Sequence, residues 1–149
     1  MIDKERISIR KRLTANDVGA TGSHQAGVLI PKMFATEFFP ALDVAVVNPS
    51  AWLTITAVDI GEAYQWRFIY YNTAVLGVGS RNEYRLTHAT HFLRQSHARV
   101  GDEFELMRLT DLAYAARIIP ASPIGNQPRD DGVLVLSSAG AWRSVRLTP

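Results

Sequence analysis

Residues 51–72, AWLTITAVDIGEAYQWRFIYYN, decide the fold class. AWLTITAVDI (51–60) and YQWRFIYYN (64–72) are rich in β-branched and aromatic residues, which suit a pleated, half-buried surface. Gly61-Glu62-Ala63 between them supplies a turn, so the pair reads as a β-hairpin. Outward from it, ERISIRKRL (5–13) alternates apolar and polar and reads as a strand, as do RNEYRLT (81–87), DEFELMRL (102–109) and YAARIIP (114–120). GVLVLSS (132–138) and AWRSVRLTP (141–149) read as a last hairpin around Ala139-Gly140. Two helices are expected. One runs from Pro31 to Phe39 with Pro40 ending it, and the other is HATHFLRQSHAR (88–99) with Thr87 as N-cap. TANDVGATGSHQAGVLIP (14–31) reads as a loop, TAVLGVGS (73–80) as a flexible stretch, and ASPIGNQPRDDG (121–132) as a loop of no assigned role. The sum is a mostly β (α+β) chain of seven or eight strands and two short helices, an antiparallel barrel or sandwich.

At 149 residues the chain fits one domain, 1–149. A chain of this size buries on the order of 70% of its unfolded surface. Apolar residues make up 47% of the sequence, which argues against disorder. No apolar run approaches the ~20 residues of a membrane helix, and MIDKERISIRKR has no apolar signal core. With no cysteine, disulfides and thiolate metal sites are excluded, and a bacterial cytoplasm is the expected location. The net charge is only +2, but it is segregated. Residues 1–32 hold six basic and three acidic side chains, residues 33–80 one and four, and residues 81–100 four arginines against one acid. Arginines outnumber lysines thirteen to three, and the planar guanidinium suits phosphates and guanine edges. Ordinary surface charge is the competing explanation.

Catalytic chemistry is missing. A carboxylate two residues before a catalytic lysine is the usual metal-dependent nuclease pattern, yet Ile2, Ile9 and Ile30 precede Lys4, Lys11 and Lys32. There is no His-x-Lys pair and no phosphate-binding loop with Lys-Ser/Thr. Gly77-Val78-Gly79 is too short for a dinucleotide site. His88 and His91 could share a helix face as a metal pair, but no third ligand lies near in sequence. Ser23 beside His24 lacks an orienting acid. No catalytic residue, metal or cofactor is therefore expected.

Two segments carry a binding signal. In an extended Arg81-Asn82-Glu83-Tyr84-Arg85, alternation puts Arg81, Glu83 and Arg85 on one face. Arginine reads guanine O6 and N7 and glutamate accepts from cytosine N4, so this face suits C·G pairs in a major groove. A plain charge ladder between strands is the alternative. In Thr21-Gly22-Ser23-His24-Gln25-Ala26-Gly27 the small residues permit close backbone approach, and Ser23, His24 and Gln25 offer donors and acceptors. A structural turn is the alternative there.

The run from Leu13 to Lys32, LTANDVGATGSHQAGVLIPK, resembles the N-terminal effector-binding domain of EcoRII-type restriction endonucleases, and Arg81–Thr87 fits the same family. These motifs cover under a fifth of the chain, though the likeness extends over most of it. The resemblance implies a DNA-binding pseudobarrel similar to the plant B-three domain. An N-arm (about 14–32) and a C-arm (about 75–87) would enter the major groove like the jaws of a wrench. It implies base readout by Arg81, Asn82, Glu83, Arg85, His24 and Gln25, and backbone contacts from Ser23, Thr21, Lys32, Tyr84 and Arg94. The implied partner is double-stranded DNA carrying a short C·G-flanked site such as CCWGG. It further implies a nuclease domain in the same chain or in a partner subunit, and no membrane. The family C-arm is more basic, and Gly79 and Tyr84 stand here where such charge falls, which implies fewer phosphate contacts and a shallower salt dependence. Two other classes stay open: a small metal-dependent hydrolase using His88 and His91, and a barrel for single strands or proteins with Trp66, Tyr70 and Tyr71 as a stacking platform. Core packing is the plainer reading of those aromatics.

Overall fold

The computed structural model describes residues 7–18, 27–121, 133–139 and 142–147. The elements are β1 (Ile7–Arg12), β2 (Val28–Ile30), α1 (Lys32–Glu37), β3 (Ser50–Ala57), β4 (Glu62–Tyr71), β5 (Glu83–Thr87), α2 (Thr90–Gln95), β6 (Glu103–Arg108), β7 (Ala113–Ile119), β8 (Val133–Ala139) and β9 (Trp142–Leu147). They form one nine-stranded sheet in the order β2-β5-β4-β3-β7-β6-β1-β9-β8. Neighbours are antiparallel except β3 and β7, which run parallel. The sheet curls on itself: Trp142 Nε1 on β9 donates to the Leu29 carbonyl on β2, 2.9 Å away, joining strands near opposite ends of the order.

The 51–72 hairpin forms, pairing Ser50 with Ile69 through to Ala57 with Glu62. Its turn closes through Gly61 N–H to Ala57 O at 2.8 Å, with Gly61 at φ 77°. Period-two alternation sends Leu53, Ile55 and Ala57 inward, and Trp66 and Phe68 from β4 meet them. Phe104 and Leu106 on β6, Tyr114 and Ala116 on β7, Ile9 and Trp142 complete the interior. Each such large apolar side chain contributes about 1.5–3 kcal/mol on burial. The helices supply the rest. From α1 and its end, Phe39 stacks on Phe68 at 4.6 Å, and the Tyr114 hydroxyl donates to Phe38 O at 3.0 Å. From α2, Phe92 lies 5.5 Å from Trp66.

On the opposite face of the β1-β6-β7-β9 half, charges alternate across the strands. Glu105 takes Arg10 Nε at 2.5 Å and Arg117 Nε at 2.7 Å, and Glu103 takes Arg143 at 2.6 Å. Arg10 and Glu105 are 3% and 2% exposed, so their mutual pairing is what makes that burial tolerable.

Three local expectations are corrected. The 14–31 loop contains a strand, β2, because Val28 and Ile30 turn inward in register with Leu86 and Tyr84. The second helix is shorter than 88–99 and is not capped by Thr87: it starts at Thr90 after Ala89, with no side-chain cap. His88 sits at φ 74°, which no helix admits, and Thr87 finishes β5 instead, its hydroxyl donating to Arg67 O at 3.2 Å. The 73–80 stretch is a laced turn, described below.

Candidate nucleic-acid interface

The registers β2-β5 and β5-β4 place Glu83 opposite Tyr71, and Arg85 between Leu29 and Ile69. Alternation then puts Glu83, Arg85 and Thr87 on one face, and Tyr84 and Leu86 on the other. Arg81 joins the first group. Its Nε and Nη2 reach Glu83 Oε1 at 3.0 and 2.6 Å, and its guanidinium lies 3.6 Å from the Tyr71 ring centre. Arg85 Nη2 donates to Glu83 Oε2 at 3.1 Å. One carboxylate thus holds two guanidiniums at 39% and 21% side-chain exposure. Arg85's hydrogen bond, reinforced by Arg81's, holds the Glu83 carboxyl below the usual range, although burial opposes this.

Arg85 also ties this row to the loop before β2, donating from Nη1 to Gly27 O at 3.0 Å. Gly27 sits at φ 90°, and a Cβ there would lie 2.5 Å from Leu86 O. Only glycine lets the chain approach β5 that closely. The chain at Gly27 and strand β5 are therefore one hydrogen-bonded unit.

The turn between β4 and β5 is ordered by its own hydrogen bonds. Val78 N–H donates to Thr73 O at 2.9 Å, Ala74 N–H to Arg81 O at 2.8 Å, and Arg81 N–H to Thr73 Oγ1 at 3.1 Å. Gly77 takes φ 72°. Buried Asn72 anchors the base, donating to Val44 O and Val46 O and accepting from Asn48 N–H. These bonds replace the flexibility expected of a glycine-rich stretch.

At the end of β1, Lys11 Nζ lies 2.7 Å from both Asp17 oxygens, and Thr14 N–H donates to Asp17 Oδ2 at 2.9 Å. This buried pair fixes the turn that follows β1. Lys11 and Asp17 were not singled out from sequence. Lys11 stands on the inward parity of β1 with Ile9, which was the available signal.

Of the sequence-expected contact residues, Thr21, Ser23, His24 and Gln25 lie outside the described residues. Asn82 is exposed and its Oδ1 accepts from Tyr70 OH at 2.7 Å. Tyr84 stacks on Tyr70 at 4.1 Å, on the side away from the arginines. Lys32 and Arg94 are exposed at the starts of α1 and within α2. His88 and His91 do not share a helix face. They pack on Trp52 and Tyr64 at 5.1 and 5.8 Å, and no group of three potential metal ligands occurs among the described residues. Trp66 and Tyr70 are buried and Tyr71 is covered by Arg81, so they form no open stacking platform. The exposed tryptophan is Trp52. No helix among the described residues is long and apolar enough to cross a membrane.

A curled, mostly β sheet with two short helices is the architecture of a pseudobarrel. The crystal structure of the UbaLAI restriction endonuclease B3 domain, a triple mutant solved with cognate DNA, shares it: TM-score 0.57, 18% identity, covering 97% of this chain and 89% of that one. The sequence narrows the class. The family model for the N-terminal domain of restriction endonuclease EcoRII matches residues 3–96, and the chain belongs to that family. The type II restriction enzyme EcoRII of Escherichia coli is 42% identical over 88 residues, 55% of this chain and 21% of the enzyme. The chain thus covers about a fifth of that relative's length.

Proposed function

We propose that residues 1–149 act as one sequence-specific recognition domain. It binds double-stranded DNA in the major groove through an N-arm (14–32) and a C-arm (75–87), at a short C·G-flanked site such as CCWGG. The observation that carries this is the Arg81–Glu83–Arg85 row, held rigid on an outward strand face and bonded to the N-arm root at Gly27. Side chains fixed before binding lose little freedom on contact. Guanine O6 and N7 accept from arginine forks and cytosine N4 donates to a carboxylate, so an alternating Arg-Glu-Arg row matches neighbouring C·G pairs. Asn82, His24 and Gln25 join the base contacts. Thr21, Ser23, Lys32 and Arg94 are assigned to the DNA backbone, whereas Tyr84, expected there from sequence, packs against the core on Tyr70 and is not.

EcoRII is a restriction enzyme, and the UbaLAI domain was solved with cognate DNA. By that relation this domain works beside a nuclease domain, in the same chain or a partner subunit, in a bacterial cytoplasm. The test compares Arg81→Ala, Glu83→Ala and Arg85→Ala on a target duplex and its one-base variant. Each is expected to lose roughly 1–3 kcal/mol of discrimination while staying folded. Unchanged discrimination in all three defeats the assignment of this row.

A further inference from the structure

The face that carries Arg81, Glu83 and Arg85 continues sideways across β4 onto β3. We propose that Trp52, Arg67 and His88 form a lateral clamp on the DNA sugar-phosphate backbone beyond the recognised base pairs. This rests on the DNA-binding reading above.

In register, Trp52 stands opposite Arg67, and Arg67 opposite Thr87. That row is two residues from the Ser50–Ile69–Arg85–Leu29 row, and two residues along a strand span about 7 Å. The row is therefore continuous with the base-reading face, beside the N-arm root: the position of a Gly27 Cβ lies 3.0 Å from Thr87 Cα.

Its chemistry is that of a phosphate site. Arg67 Nε donates to Ser50 Oγ at 2.8 Å, and this bond aims the guanidinium. Its two Nη groups have no partner among the described residues, and its Cζ lies 6.0 Å from the Trp52 ring centre. A guanidinium steadied on an aromatic face, with its terminal fork unspent, suits a phosphodiester oxygen pair. Trp52 is 52% exposed, against 0% for Trp66 and 3% for Trp142. No carboxylate stands in the row. His88 reaches the indole by adopting φ 74°, a conformation costly for a residue with a Cβ. Thr87 Oγ1 lies 3.2 Å from Arg67 O and 2.9 Å from His88 Nδ1. Its single hydrogen goes to the carbonyl, which accepts only. His88 Nδ1 therefore carries its own hydrogen and donates to Thr87, which fixes the ring beside the indole; Nε2 then has no hydrogen to give a phosphate, so the ring's part is to pack on a deoxyribose. An indole plane, a free guanidinium fork and an oriented imidazole match a sugar flanked by phosphates. They carry no base code, so they add affinity without discrimination.

The experiment uses the chain with a CCWGG duplex and its one-base variant. Binding is followed by gel shift and, separately, by intrinsic fluorescence. Trp52 is the one tryptophan open to solvent, so its emission is expected to change on binding to either duplex. Arg67→Ala and His88→Ala are expected to weaken both duplexes by the same factor, about tenfold for Arg67→Ala. Arg67→Ala also lowers the salt slope by about one. Wild-type binding with unchanged emission, or variants that lose only the target duplex, overturns the clamp and leaves the recognition reading standing. No binding of either duplex by the wild type overturns both.

Discussion

Gly27→Ala separates two physical effects where the chain meets β5. The substitution places a Cβ 2.5 Å from Leu86 O, 2.9 Å from the Leu86 carbonyl carbon and 3.0 Å from Thr87 Cα. All three atoms are backbone of β5, which is paired on both sides by β2 and β4 and cannot shift cheaply. Holding alanine at φ 90° costs about 1–2 kcal/mol, and the steric overlap adds about 1–3 kcal/mol as for other overpacked sites. The expected loss is about 2–5 kcal/mol, a large share of a typical 5–15 kcal/mol stability. Gly77→Ala is the control: it sits at φ 72° with nothing within 4 Å of its Cβ, so it carries the conformational cost alone. Urea unfolding of both variants, followed by tryptophan fluorescence, gives the difference directly. The clash also pushes the Gly27 carbonyl off Arg85, so the folded fraction of Gly27→Ala is expected to bind DNA less well than Gly77→Ala. Equal, small losses in the two variants would refute the reasoning that Gly27 is required by contact with β5.

Further expectations concern other elements. Glu105→Ala removes the nearest carboxylate from the buried Arg10 guanidinium, leaving Glu103 at 4.0 Å, and is expected to cost up to about 3–5 kcal/mol in denaturant unfolding; a loss under 1 kcal/mol contradicts that account. Burial pushes the Tyr114 hydroxyl up to about 12. A raised folded value favours the native state below tyrosine's ordinary range, and that contribution is lost as pH rises through about 12. Tyr114→Phe removes it together with the bond to Phe38 O, an expected loss of about 1 kcal/mol in urea melts at neutral pH, and retention of full stability speaks against that bond. For Glu83 the sign is opposite. Its folded value is depressed by Arg85 and Arg81, so the contribution of its two arginine pairs is fully present above the ordinary glutamate range and is lost only as pH falls below it. Carbon NMR titration of the Glu83 carboxyl checks this, and an unshifted midpoint contradicts it.

The sheet was largely legible because β3 and β4 alternate cleanly and their turn carries Gly61. Local alternation also put Arg81, Glu83 and Arg85 on one face, and registry with Leu29, Ile69 and Tyr71 agrees. What local reasoning missed depends on contacts distant in sequence. β2 has three residues, too few for a period to show, and it exists because β5 offers an edge. Lys11 reads as a surface cation until Asp17 folds under it. The glycines at 77 and 79 suggested flexibility, whereas Thr73 and Asn72 spend their side chains holding that turn. His88 leaves helical space, so His88 and His91 never meet. Trp52 looked like any strand aromatic, since inward and outward parity cannot be assigned before β4 is paired.

The most direct test of the central claim is a gel-shift titration of a CCWGG duplex against a one-base variant, at two salt concentrations. Direct readout by the Arg81–Glu83–Arg85 row predicts tight binding that collapses with the single change at both salts. Equal binding to the two duplexes, weakening in parallel with salt, would contradict base readout at that site and leave only attraction to phosphate.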